Sequence, residues 1–121
     1  MKLWLIVGAF LSALAVVLGA FGAHGLKSKV TPESLSIFEI GVRYQMYHSL
    51  ALILIGLIGY HFPHNAIIHS AYFMLGGIMI FSGSLYLLAL LNIKWLGAIT
   101  PIGGMCFIIG WLLLAFNIYR S

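Results

Sequence analysis

The stretch Leu3–Ala23, LWLIVGAFLSALAVVLGAFGA, decides the fold because no charged residue interrupts it. A bilayer core of about 30 Å requires roughly 20 helical residues, so this stretch is long enough to cross it. Three further uncharged apolar stretches follow at residues 46–62, 66–91 and 95–119. The sequence therefore predicts an all-α protein, a four-helix transmembrane bundle that forms a single integral membrane domain over residues 1–121.

The composition supports a membrane protein independently of these boundaries. Hydrophobic residues make up 63% of the chain, charged residues only 7%, and the mean hydropathy is +1.12. A soluble domain of 13.3 kDa cannot bury that much apolar surface, and four spans leave no room for a catalytic lobe. The basic residues are too thinly spread for a nucleic-acid footprint, so we expect no nucleic-acid partner. Cys106 is the only cysteine, which excludes an intramolecular disulfide and a thiolate metal cluster.

The first stretch also has features of a secretory signal, because Lys2 precedes it and Ala20-Phe21-Gly22 matches a small-x-small cleavage pattern. Its apolar run is longer than the roughly 7–15 residues of a signal core. Small residues also recur along it at nearly helical spacing, which lets helix backbones approach closely. We therefore interpret the stretch as a retained helix.

The first loop contains both acidic residues, three of the six basic residues and a helix-start signature. Thr31 can cap the first free amides, Pro32 suits the first helical position, and Glu33 complements the positive end of the helix dipole. Apolar residues then recur at helical spacing up to Gln45. The pattern predicts an amphipathic interfacial helix over residues 32–45 that continues into the second span, with a possible bend near Gly41.

The charged residues predict the orientation in the membrane. One face is bordered by Lys27, Lys29, Arg43 and Lys94, and the other by Lys2 and Arg120. By the positive-inside rule, the protein is a multi-pass protein of the cell membrane, loops one and three are cytoplasmic, and both termini lie outside.

Polar side chains within or beside the spans form the candidate binding cluster. Antiparallel helices would bring them together near one end of the bundle, and they are His24, Arg43, Tyr44, Gln45, His48, Ser82 and Ser84. They can be structural hydrogen-bonding groups between helices, or they can line a binding or translocation site. Three further histidines at positions 61, 64 and 69 lack a carboxylate or cysteine beside them, so we predict no metal site and no cofactor.

Glycines in the third and fourth stretches indicate close helix packing. Several lie one heptad apart, and the set comprises Gly76, Gly77, Gly83, Gly97, Gly103, Gly104 and Gly110. Such smooth faces can pack against each other or against another copy of the chain, which favours a homo-oligomer.

Several strings together resemble a known family. They are Gly19-Ala20-Phe21-Gly22-Ala23-His24-Gly25-Leu26, Tyr44-Gln45-Met46-Tyr47-His48-Ser49-Leu50, Phe81-Ser82-Gly83-Ser84-Leu85-Tyr86, Thr100-Pro101-Ile102-Gly103-Gly104 and Gly110-Trp111. In this order they are similar to domain of unknown function family 423, whose eukaryotic branch is called transmembrane protein 256. The resemblance spans nearly the whole chain and implies a four-span bacterial inner-membrane protein. It implies no activity, substrate or catalytic residue.

The sequence thus favours a non-enzymatic membrane protein with a structural or interaction role, in contact with membrane lipids and self-associating through its glycine faces. Proton relay is disfavoured because the chain has no Asp and its two Glu residues lie outside the apolar stretches. One alternative is an oligomeric carrier or channel for a small molecule, lined by His24, Arg43, Gln45 and His48. Another is a membrane-embedded enzyme that uses His24 and His48 as a pair.

Overall fold

The computed structural model describes residues 1–121, except for the side chains of His64 and Ala66. The chain forms four long helices, as the sequence predicts. They are α1 (Lys2–Leu26), α2 (Pro32–Ile58), α3 (residues 64–91) and α4 (Leu96–Arg120). The described backbone contains no strand, so the fold is all-α.

The start of α2 follows the predicted signature. Thr31 is the N-cap residue, and its hydroxyl accepts a hydrogen bond of 3.1 Å from the Ser34 amide. Pro32 occupies the first turn, where it lacks only an amide that would have no helical partner. The helix then runs without interruption for 27 residues to Ile58. One helix therefore covers the predicted interfacial stretch 32–45 and continues into the predicted span 46–62, where it ends four residues earlier than predicted.

Three of the four helices are long and apolar enough to cross a membrane, namely Lys2–Leu26, Ile67–Leu91 and Leu96–Arg120. The second helix does not reach the same hydropathy, because polar residues such as Arg43, Gln45 and His48 lie in its middle. The spans in α1, α3 and α4 agree with the predicted stretches to within three residues. Four crossings remain a prediction.

Two of the helices contain π-helical segments, Leu18–Gly22 in α1 and Ile78–Ser82 in α3. A π segment bonds residue i to i+5 and so inserts one extra residue into a turn. Because one residue corresponds to about 100° around an α-helix, residues on either side of the segment no longer share the face that sequence spacing suggests.

The helices pack in chain order. α1 lies along α2, α2 packs against α3, and α3 packs against α4. The core between them contains fully buried side chains from α2 and α3, including Leu52, Ile55, Ile67 and Met74. Glycines allow the closest approaches: a Cβ at Gly8 would lie 2.8 Å from the Ser49 carbonyl oxygen. The first helix thus contributes to the core through Trp4 and Leu11.

The predicted glycine set does not form continuous smooth faces. Three members face the α3–α4 contact inside the chain, where Gly77 lies against Phe107, Gly103 against Phe81 and Gly110 against Met74. Cβ atoms at Gly76 and Gly83 would meet nothing within 4 Å, and those at Gly97 and Gly104 would make only ordinary contacts at 3.8 and 3.9 Å. The π segment Ile78–Ser82 lies between Gly76 and Gly83 and changes the helical register. Although the two glycines are one heptad apart in sequence, they therefore border different grooves.

Candidate functional site

Gln45 is the centre of the polar interior. It lies at the midpoint of α2, about 20 Å from either end, and only 2% of its surface is exposed. Its amide nitrogen donates to the Leu11 carbonyl of α1 at 2.8 Å, and its amide oxygen accepts from the Tyr86 hydroxyl of α3 at 2.6 Å. One side chain therefore ties three helices together.

Buried serines extend this arrangement along the helices. Ser82 donates to the Gly41 carbonyl across the α2–α3 contact at 2.6 Å, and Ser49 donates to the Gln45 carbonyl within α2. Ser84 lies 2.6 Å from the Thr100 hydroxyl of α4, which links α3 to the last helix. Hydroxyl groups thus bond to helix carbonyls or to one another, as expected where water is absent.

His48 is held between α2 and α4. Its Nδ1 lies 2.8 Å from the Tyr44 carbonyl oxygen, and its Nε2 accepts a hydrogen bond of 3.1 Å from the Trp111 indole. Since a carbonyl can only accept, the two partners assign the neutral tautomer with hydrogen on Nδ1. The imidazole also stacks on the Phe107 ring, with 3.5 Å between centroids. Both ring nitrogens are therefore occupied within the chain.

The structure brings together only part of the predicted cluster. Gln45, His48, Ser82 and Ser84 are buried, but they lie near mid-height of the bundle rather than at one end. Tyr44 borders them with its ring packed on Phe81, and 39% of its surface is exposed.

His24 and Arg43 lie outside the cluster. Both side chains are exposed, so the single chain does not bury them together with His48. Helix register explains this result. Gly22 packs against Phe38, which precedes His48 by ten residues, or about 15 Å along α2, so His24 lies far from His48.

Five residues whose side chains take part in these contacts are absent from the predicted cluster, namely Ser49, Tyr86, Thr100, Phe107 and Trp111. Tyr86 and Trp111 carry polar hydrogens in apolar surroundings, and such groups need an acceptor. Their position in the apolar stretches therefore indicates that each has a hydrogen-bond partner on another helix. Phe107 carries no such signal, since nothing distinguishes it in sequence from other apolar residues of α4.

Beside the Gln45–Tyr86 pair, an open groove of about 400 Å³ separates α1 from α3. Its walls are apolar, with Phe10, Leu14 and Met79 among them, and Gly83 leaves one side without a side chain. The polar pair is therefore reached from outside the bundle across an apolar surface.

Among the described side chains, no three His, Cys, Asp or Glu residues lie close enough together to hold a metal ion. His61 and His69 are exposed, and the side chain of His64, the third histidine considered, lies outside the described residues. Hydrogen bonding is thus the chemistry that this arrangement offers.

Comparison with known proteins identifies the family. The sequence profile of a family described as protein of unknown function, DUF423, matches residues 18–104. The chain belongs to this family. A UPF0382 membrane protein of Staphylococcus haemolyticus is 48% identical over 99% of this chain and 98% of its own length. UPF0382 membrane protein YwdK of Bacillus subtilis is 44% identical over 94% of both chains. No solved structure matches the chain.

The DUF423 match confirms the resemblance inferred from the sequence motifs, and it covers α2, α3 and the π segment of α1. With its apolar helices and its membrane-protein relatives, the chain is a membrane protein of this family. Neither the family description nor the names of these relatives assigns a reaction.

Proposed function

We propose that this DUF423 protein is a non-enzymatic component of the cell membrane with a structural or interaction role. In this proposal all four helices cross the bilayer, α2 included, and loops one and three face the cytoplasm. The 27 residues of α2 span about 40 Å, which exceeds the hydrocarbon core of about 30 Å. Two of its polar residues, Gln45 and His48, become acceptable in that environment because they face other helices rather than lipid.

One observation carries the structural role: the buried polar side chains around Gln45 and His48 bond to helix carbonyls or to other side chains, whereas the buried Ser70 hydroxyl of α3 has no partner among the described residues. Gln45, Ser82 and His48 each join two different helices. A translocation pathway requires polar groups that exchange partners with a solute. Here the same groups are committed to holding the helices in register.

Self-association is the second part of the proposal, and it involves the surface around Gly76. Glycine in a helix interior destabilises it by roughly 1 kcal/mol relative to alanine, which packing normally offsets. Within the chain a Cβ at Gly76 would meet nothing within 4 Å. Next to it lies a shallow apolar groove lined by Tyr72, Phe73 and Cys106. A helix of a second copy can approach closely at this point.

The test is Gly76→Leu, because a leucine there fills the space that a second helix would need without a clash inside the chain. We expect the variant to shift the oligomer distribution in lipid nanodiscs or mild detergent toward monomer while insertion and helix content stay unchanged. Gly25→Leu is the matched control, since Gly25 is equally open but lies at the far end of α1. An unchanged distribution for Gly76→Leu, or equal loss in the control, would remove self-association from the proposal.

The two alternative functions receive less support from the geometry. A carrier lined by His24, Arg43, Gln45 and His48 would need these side chains to converge, and a single copy leaves the first two exposed. The enzyme hypothesis needs His24 next to His48, and the ring nitrogens of His48 are instead bonded to Tyr44 and Trp111.

A further inference from the structure

A second groove, of about 310 Å³, lies at the end of α1 where the chain leaves the helix. Its walls come from α1, from α2 and from the end of α3, and they include Leu18, Phe21, Gly22, Gly25, Phe38 and Leu90. Lys29 completes the lining at the side of the first loop. The groove thus runs from a charged rim toward the apolar interior.

Backbone conformation and glycine create this hollow. The π segment Leu18–Gly22 forms its deep wall, and Phe21 points away from the protein with 74% of its surface exposed. A Cβ at Gly25 would meet nothing within 4 Å, while one at Gly22 would face the Phe38 ring at 3.2 Å. Two glycines three residues apart therefore leave the helix surface bare at this point.

The charge at the groove has one sign. Lys29 is exposed at the rim, and Lys27 adds positive charge on the same loop without lining the groove. Neither acidic residue of the chain lines it: Glu33 borders a neighbouring polar pocket together with Lys94, and Glu39 is exposed on α2. An apolar groove with a single lysine at its rim is complementary in polarity and charge to a lipid whose hydrocarbon chain is joined to an anionic head group.

We propose that this groove binds one anionic phospholipid, with an acyl chain along Leu18, Phe38 and Leu90 and the head-group phosphate beside Lys29. A zwitterionic lipid brings its own cation close to Lys29 and gains less from this charge. The inference rests on the bilayer location in the proposed function but not on self-association, because the groove lies within one copy of the chain.

The experiment is native mass spectrometry of the full chain released from detergent with equal amounts of phosphatidylglycerol and phosphatidylcholine. Each oligomeric species is read separately, so that a failure of lipid binding is distinct from a failure of self-association. We expect the wild type to retain phosphatidylglycerol about fivefold more than phosphatidylcholine, the preference that one cation near the head group supports. Lys29→Gln should abolish the preference, whereas Lys27→Gln, the matched loss of charge, should retain it.

The apolar part of the groove is tested by Gly25→Leu, because a Cβ at this position meets nothing within 4 Å and the rest of the side chain can extend into the groove. This variant should lose retention of both lipids, while Gly76→Leu, on another groove, should bind as the wild type does. Equal retention of the two lipids by the wild type would overturn the proposal. So would equal effects of the two lysine variants, which would indicate diffuse surface charge, or undiminished binding by Gly25→Leu.

Discussion

Gln45 shows how one amide can determine the position of three helices. Its amide nitrogen bonds to Leu11 of α1 and its amide oxygen to Tyr86 of α3, and the buried side chain is shielded from water. Interhelical hydrogen bonds in membrane proteins contribute on average about 0.6 kcal/mol, with a maximum near 1.7. Gln45 therefore contributes more to the relative positions of the helices than to the free energy of folding.

The Gln45–Tyr86 bond can be measured by a double-mutant cycle of Gln45→Leu and Tyr86→Phe. Because both variants remove the same bond at 2.6 Å, we expect their effects on the free energy of unfolding to be non-additive by about 0.6–1.7 kcal/mol. Reversible unfolding in mixed detergent micelles gives the four values required. Additive effects would mean that the two side chains are not coupled.

The tautomer of His48 is a second prediction at this scale. With Tyr44 accepting at Nδ1 and Trp111 donating to Nε2, the ring should carry its hydrogen on Nδ1. Nitrogen chemical shifts of histidine-labelled protein in lipid report the tautomer directly. Trp111→Phe removes the donor to Nε2 and should shift that nitrogen alone. A hydrogen on Nε2 in the wild type would contradict the assigned network.

At the residue scale, the sequence predicts that a polar side chain is buried better than it predicts which way each helix face is turned. The burial of Gln45 and His48 could be predicted because polar side chains in an apolar stretch must face another helix. The exposure of His24 and Arg43 could not, because rotation of each helix about its axis depends on tertiary contacts that a single sequence does not specify.

At the scale of elements, the contact between α3 and α4 depends on which side of each helix is bare. A Cβ at Gly103 would lie 2.7 Å from the Phe81 Cα, whereas one at the neighbouring Gly104 would lie 3.9 Å from the Phe81 ring. Two adjacent glycines therefore have different roles: one permits contact between the helix backbones, and the other lies at the margin of that contact.

Gly103→Ala and Gly104→Ala form a matched pair that tests this contact. The first should destabilise the protein by about 1–3 kcal/mol, because backbone atoms of α3 cannot move aside as a side chain can. The second should be neutral or stabilising by about 0.5 kcal/mol, through the higher helix propensity of alanine. Thermal unfolding of the two variants in the same detergent provides the comparison. The same sign of change in both would show that Gly103 is not at the contact.

Helix ends were predictable and helix faces were not. Thr31 and Pro32 mark the start of α2 through local chemistry, which a sequence displays directly. Heptad spacing between Gly76 and Gly83 assumes an uninterrupted α-helix, and the π segment Ile78–Ser82 between them removes that assumption. Nothing in a hydrophobic pattern distinguishes a π-helical turn from an α-helical turn.

At the scale of the whole molecule, composition and the length of the apolar stretches are enough to predict an all-helical membrane protein. The second helix is the exception. Its middle is polar enough that only α1, α3 and α4 have the hydropathy expected of membrane spans. In the proposed four-crossing arrangement, the bundle rather than the isolated helix accounts for the insertion of α2, because Gln45 and His48 bond to neighbouring helices.

Whether α2 crosses the bilayer is tested most directly by cysteine accessibility in intact cells, using Lys29→Cys, Asn65→Cys and Lys94→Cys in a Cys106→Ala background. Lys29 and Lys94 lie in the first and third connections, and Asn65 lies in the first turn of α3, directly after the second connection. A membrane-impermeant maleimide should label Asn65→Cys in intact cells, and Lys29→Cys and Lys94→Cys only after the membrane is opened. Labelling of Lys29→Cys and Asn65→Cys from the same side would contradict the four-crossing bundle, because α2 is the only helix between them.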